Sequence, residues 1–358
     1  MLLTIGAFLV AIGLLVVVHE YGHYWVARRC GVKVLRFSVG FGRILLRRTD
    51  RHGTEWAISA IPLGGYVKML DTREGSVPAA DLDRAFDRQS VWRRIAIVSA
   101  GPIANLLLAS LLYAALYMSG VREPAPDQGP PLAVIQSVVP DSAAAAAGLE
   151  PGDVVLGVND VEGPDPDTFV TLVARSPGEP VQLRVERGGE QVHIAVTPRE
   201  VVEESGTRIG RIGVQIRTNV QFVEVRYGVF ESLYRGVERT AEIAGLTLRM
   251  LGNMLIGEAS WSNLSGPVTI ADYAGQTARI GLDAYIAFLA VVSVSLGVLN
   301  LLPIPMLDGG HLLYYCVEIV RGSPPPDRWL DIGQRAGLGV LLALMGVALF
   351  NDFVRLFG

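Results

Sequence analysis

The chain has 358 residues, half of them hydrophobic and only 18% charged, and its mean hydropathy is +0.38. Soluble domains carry roughly 25% charged residues, so the composition excludes an ordinary soluble protein and points to the membrane. A net charge of −4 provides no basic footprint for nucleic acid, and two cysteines, Cys30 and Cys316, make neither a disulfide framework nor a thiolate zinc site.

Four stretches are candidates for crossing a bilayer, which takes about 20 apolar residues. Residues 2–18 run apolar into His19, residues 95–119 form a long second stretch, and residues 285–302 a third. The fourth, 336–350, reaches span length only with its flanks. The first lacks a basic leading region and a small-residue cleavage site, so it reads as a retained helix rather than a signal peptide. The loop from Arg28 to Arg93 is rich in Arg and Lys and is expected on the cytoplasmic side. Alternation then puts both termini and the long middle region outside, and the short loop carrying Arg321 and Arg328 inside.

Within the first loop, residues 35–46 and 56–70 alternate as strands, with a kink expected at Gly64-Gly65. In the middle region, residues 123–131 are rich in Pro and acidic groups and read as a linker. Short strands and helices follow: strands at 133–139 and 154–158, helices at 143–147 and 168–175, and a hairpin of 181–187 with 191–197 across Gly188-Gly189. The run Pro140 to Asn159 resembles the PDZ family, whose members capture extended peptides by adding a strand to a sheet edge. By that resemblance the peptide-binding strand begins at Arg211-Ile212-Gly213-Val214, late in the module, as in a circular permutation, and Ile212 and Gly213 are candidate substrate-binding residues. Residues 227–256 carry apolar groups at intervals of three and four opposite a charged face, which reads as a helix on the outer membrane surface or packed under the PDZ module.

The first span ends in His19-Glu20-Tyr21-Gly22-His23. Residues four apart share a helix face, so the two imidazoles can meet one metal ion. This is the zinc-protease spacing, with Glu20 as general base. Two His and a Glu in an apolar helix are costly in lipid and call for a functional reason. The third span ends in Asn300-Leu-Leu-Pro-Ile-Pro-Met-Leu-Asp308-Gly-Gly-His311. Its prolines break the helix, and alternation brings Asp308 to the depth of the His pair as a third ligand. His311 is a rival ligand, ranked lower because a fourth protein ligand fills the position that catalytic zinc leaves to water. Read without a general base at Glu20, the same residues would fit a zinc transporter or a non-catalytic scaffold presenting a PDZ domain.

The paired motifs, H-E-x-x-H closing one span and N-x-x-P-x-P-x-L-D-G closing a later one, resemble the site-2 protease family of intramembrane zinc metalloproteases. The PDZ-like insert between spans two and three narrows the likeness to the bacterial regulator-of-sigma-E protease group, although many members carry two PDZ domains and this chain has room for one. The resemblance implies one zinc per chain on His19, His23 and Asp308, with Glu20 as acid/base. It implies that Asn105, from a G-x-x-x-N element at Gly101, and Asn300 hold the substrate backbone or oxyanion. It makes the first loop a membrane-associated β-sheet whose edge near Gly65 and Tyr66 pairs with unwound substrate. Substrates are then single-span membrane proteins, such as anti-sigma factors already cut on the periplasmic side, and signal-peptide remnants. Ser265-Gly266-Pro267-Val268 matches a further family segment without a role.

The expected architecture is a polytopic α-helical membrane protein of four transmembrane helices, with a membrane-associated β-sheet and an inserted α/β PDZ domain. Its divisions are helix one in 1–27, β-region in 28–93, helix two in 94–119, periplasmic PDZ domain and linker in 120–217, and periplasmic amphipathic helices in 218–284. Helix three with the LDG motif follows in 285–312, a cytoplasmic loop in 313–335 and helix four in 336–356. The expected location is the inner membrane.

Overall fold

The computed structural model describes residues 1–125, 131–202, 208–219, 222–258 and 260–357. The chain divides into two units, one of residues 1–120 with 226–358, the other of residues 121–225.

The first unit opens with α1 (Leu2–Arg29), a strand pair β1 (Val34–Thr49) and β2 (Glu55–Met69), and α2 (Val91–Ser119). β1 and β2 are not a simple hairpin. Phe37 pairs with both Trp56 and Val67, and Val39 with both Ile58 and Gly65. Each strand therefore bends back, so the first half of β1 lies between the two halves of β2. Gly64, at φ +126°, supplies the backbone for the bend at the expected kink. The consequence is a new edge: residues 65–69 pair with β1 on one side and line a cavity on the other. Phe41, Leu45, Leu46, Ile58 and Ile61 stay exposed on this sheet, as suits a sheet against lipid.

The second unit holds β3 (Val121–Pro124), β4 (Ala133–Val138), α3 (Ala143–Ala146), β5 (Val154–Val158), β6 (Val161–Glu162), α4 (Pro166–Ala174), β7 (Val181–Arg187), β8 (Glu190–Val196), β9 (Arg199–Val202), β10 (Arg208–Arg211), β11 (Val214–Thr218) and β12 (Phe222–Val225). The main sheet runs β11-β4-β5-β7-β8, with β6 on β5. Alternation explains β7: Val181, Leu183 and Val185 point into a core shared with Ile135, Val155, Val158 and Phe169. Gly188 and Gly189 both take positive φ at the turn to β8, as a two-residue hairpin requires. Ser142 and Asp165 cap α3 and α4 by accepting the amides of Ala145 and Thr168. The stretch read as a linker begins differently. Residues 121–124 form β3, paired with β12, while 126–130 of that stretch lie outside the described residues.

The first unit resumes with α5 (Val229–Leu255), α6 (Pro267–Ile280), α7 (Leu282–Leu301), α8 (Asp308–Arg321) and α9 (Asp327–Phe357). Among the described residues, four helices are long and apolar enough to cross a membrane: α1, α2, α7 and the part of α9 from Arg328 to Arg355. α5 packs against α2. It runs antiparallel along the last turns of α2: Tyr227 N–H donates to the Tyr117 carbonyl, Ser110 Oγ donates to Thr240 Oγ1 at 3.1 Å, and Ile243 and Ala244 pack near Ala109. The loop expected over 313–335 is largely helical, because α8 continues to Arg321 and α9 already begins at Asp327. Asp308 accordingly opens a helix instead of closing span three.

The Ser265-Gly266-Pro267-Val268 segment finds a structural role. It forms the N-terminus of α6, and the buried Asp352 carboxylate of α9 accepts the amides of Gly266, Val268 and Thr269 at 3.0, 2.9 and 3.3 Å and the Thr269 hydroxyl at 2.5 Å. Those amides have no partner within their own helix. Asp352→Ala leaves them unsatisfied and is expected to destabilise the protein by about 1–3 kcal/mol or more, read as a lowered thermal midpoint in detergent. Asp352→Asn, which keeps one acceptor oxygen, should fall between.

Candidate active site

α1 and α2 cross closely, and that crossing builds the site. His19 and His23, one turn apart, face α2 and are 9% and 8% exposed. The His23 Nδ1 lies 2.8 Å from the Ile97 carbonyl oxygen. A carbonyl can only accept, so Nδ1 carries the proton and the neutral ring turns a lone pair outward at Nε2. Gly101 makes room for this ring, since a Cβ there would overlap it.

Asp308 arrives from the other side of the site. α7 ends at Leu301, the prolines carry the chain round without helix, and Met306 takes φ +82° before α8 begins. Asp308 stands in the first turn of α8, where the positive end of the helix favours a carboxylate. The ion pair of Arg94 on α2 with Glu318 on α8, 2.5 Å apart, fastens the same helix two to three turns on.

The three ligand atoms converge. Asp308 Oδ2 is 3.2 Å from His19 Nε2 and 3.5 Å from His23 Nε2, and the two Nε2 atoms are 3.2 Å apart. Ligands about 2.0–2.1 Å from a tetrahedral zinc stand about 3.3 Å from one another, so the triangle has the size of one face of such a tetrahedron. Asp308 Oδ2 is moreover buried with no hydrogen-bond donor. A lone pair of His23 and a carboxylate oxygen aimed at a common point repel unless a cation lies between them. The donor set therefore fits zinc and leaves its fourth position to water.

Among the described residues this is the one group of His, Cys, Asp and Glu placed to share an ion, and His311 is not in it. His311 instead lines a different cavity, of about 510 Å³, with Asp71, Arg73, Tyr315 and Glu318. The candidate ligand set is thus His19, His23 and Asp308 without the rival.

A cavity of about 320 Å³ opens onto the triad and is lined by Glu20, Gly65, Tyr66, Val67, Met69, Asn300 and Met306 as well. Glu20, Gly65, Tyr66 and Asn300 thus meet at the metal triad. The sheet edge presses on α1: a Cβ on Gly65 would lie 2.9 Å from Val16 Cγ1 and 3.2 Å from Glu20 Cγ. Three residues expected to contact substrate are not in the lining of this cavity. Asn105 is fully buried behind His19, its Nδ2 3.2 Å from the ring's Nδ1, with no surface for a substrate. In the second unit Ile212 is a core residue whose carbonyl accepts the Ala144 amide, and the Gly213 carbonyl accepts that of Val139. These two anchor β11, and it is β11 itself that forms the sheet edge. Met306, which sequence reasoning passed over, is half-exposed in the cavity wall.

Comparison with known proteins bears directly on this geometry. The description of peptidase family M50 matches residues 7–344, a range holding both halves of the triad. The chain belongs to peptidase family M50. Among similar proteins, the regulator of sigma-E protease RseP of Escherichia coli is 36% identical over 98% of both chains. The regulator of sigma E protease of Haemophilus influenzae is 35% identical over 99% of both. A Vibrio cholerae protein whose description carries the words zinc metalloprotease is 37% identical over 98% of both. The alignment with the Escherichia coli protein runs over 444 positions against 358 residues here, so that relative contains stretches with no counterpart in this chain. The family read from the paired motifs is borne out, and with it the enzymatic class. This member of M50 is a metalloprotease with several membrane-spanning helices.

Proposed function

We propose that the chain is a zinc-dependent intramembrane protease of the regulator-of-sigma-E type, holding one zinc on His19, His23 and Asp308 and cutting single-span membrane proteins. The observation that carries this reading is the triangle of ligand atoms 3.2, 3.2 and 3.5 Å apart, open on one side to the cavity that Glu20 lines. When bound, zinc polarises the carbonyl to be cut and brings the pKa of a coordinated water to about 7. Glu20 takes the proton of the attacking water and returns it to the leaving amine. Asn300, on the cavity wall, is the candidate donor to the oxyanion.

A transmembrane helix hides its peptide bonds and must be extended before it can be cut. The strand edge at Gly65, Tyr66 and Val67, lining the same cavity, supports capture of the extended segment by strand addition. On this reading Gly65 and Tyr66 lie beside the substrate backbone. The general base in the cavity wall disfavours a transporter or scaffold, neither of which needs one.

The names of the relatives support anti-sigma-factor-like substrates. The second unit is read as a single periplasmic PDZ domain that reads or size-filters trimmed ends, with β11 as its peptide edge. The basic first loop supports an inner-membrane orientation with both termini outside. The test is co-expression of the full chain with a tagged single-span protein in two forms. The form trimmed on its outer side is expected to be cleaved and the untrimmed form to persist. Equal cleavage of both would contradict the gating, and cleavage of neither would contradict the substrate class.

A further inference from the structure

Both histidines of the triad lean on a single stripe of α2. Ile97, Gly101 and Asn105 follow one another at intervals of four and share a face, as His19 and His23 do on α1. Ile97 holds the far nitrogen of His23 through its carbonyl, and Gly101 clears space for that ring. Asn105 stands at the far nitrogen of His19. We propose that Asn105 is a positioning residue for the metal: its amide oxygen accepts the proton of His19 Nδ1, fixing the tautomer that turns the Nε2 lone pair to zinc. The inference rests on the zinc reading above.

The argument is one of proton accounting. A metal-bound Nε2 carries no hydrogen, so the neutral ring must carry it at Nδ1, and a buried N–H requires an acceptor. Among the described residues the one hydrogen-bond partner of that nitrogen is the Asn105 amide, and Asn105 Oδ1 is buried with no partner of its own. The geometry with Nδ2 facing the ring suits the other tautomer, in which the hydrogen sits on Nε2. A half-turn of the amide exchanges its oxygen and nitrogen within the same volume. Binding of the metal thus goes with a turn of this amide, which pairs the orphan oxygen. The Asn105 backbone is held meanwhile, because its carbonyl accepts the Ser293 hydroxyl of α7 at 2.7 Å. The G-x-x-x-N element acquires a physical meaning: glycine admits one imidazole and asparagine orients the other.

The test compares zinc affinity of the purified full-length protein, by competition with a chelator, for wild type, Asn105→Leu and Asn105→Asp. Leu keeps the volume and removes the acceptor; Asp keeps an acceptor oxygen. Loss of such a supporting partner typically costs 10–100-fold in metal affinity. Asn105→Leu is expected to weaken zinc by about that factor, and Asn105→Asp to stay within a few-fold of wild type. Thermal melts of the metal-free proteins establish folding, and should Leu not fold, Asn105→Ala takes its place. Unchanged zinc affinity in the folded Leu or Ala variant overturns the proposal, as does an Asp variant weakened equally. Absence of zinc from wild type would instead sink the metal reading itself.

Discussion

Glu20→Gln is expected to lower cleavage by about 10²–10⁴-fold, the usual contribution of a positioned proton acceptor, while zinc stays bound. Glutamine fills the same volume beside Gly65 and in the cavity wall but cannot take the proton of the attacking water. It removes no atom of the triangle formed by His19, His23 and Asp308, so metal content should match wild type. The measurement is single-turnover cleavage of a tagged single-span substrate in proteoliposomes, with zinc determined on the same preparation. A Gln variant that cuts at the wild-type rate contradicts the role assigned to Glu20. One that has lost its zinc would mean that Glu20 helps to build the site rather than only to use it.

Asp308→Ala should abolish cleavage through the metal. It removes the one carboxylate of the triad and leaves two neutral imidazoles. The loss in zinc affinity should exceed the roughly 100-fold upper end seen when only a supporting partner of a ligand is removed. Folding should survive, since the carboxylate oxygen nearest both rings accepts no hydrogen bond and α8 is still fastened by Arg94 and Glu318. Chelator competition and a thermal melt separate these effects. Zinc affinity near wild type in Asp308→Ala would show that the third ligand lies elsewhere.

These two residues were legible from the chain alone, for different reasons. His19, Glu20 and His23 declare themselves by spacing on one helix face, a local property that folding cannot disturb. Asp308 was legible because two prolines must end an apolar helix, and a carboxylate just beyond has little reason to be in lipid. The helix that Asp308 opens was not legible. Gly309 and Gly310 argue for a loop by propensity, yet both sit against backbone of residues 301–305, where any side chain would collide. Close packing overrides propensity there.

The first loop divides in the same way. Alternating residues give two strands, but not that each bends back to place residues 65–69 at an edge beside Glu20. Asn105 in an apolar span fits a substrate contact and a packing role equally well until its neighbour is known, and that neighbour, His19, lies 86 residues away. Ser265 to Val268 matched a family segment but had no assigned role, because its partner is Asp352 near the chain's end. The orientation of α5 was hidden for a related reason. Its charged and apolar faces are those of a surface helix, and the close contact with α2 rests on small residues such as Ser110 and Thr240, far apart in the chain.

X-ray absorption at the zinc edge, on the purified full-length protein, reports the atoms around the metal without reference to activity. Two imidazole nitrogens and light oxygen neighbours at about 2.0–2.2 Å, with one zinc per chain, are the predicted result. A sulfur neighbour at about 2.3 Å, a single imidazole, or no zinc in the folded protein would contradict a centre built from His19, His23 and Asp308.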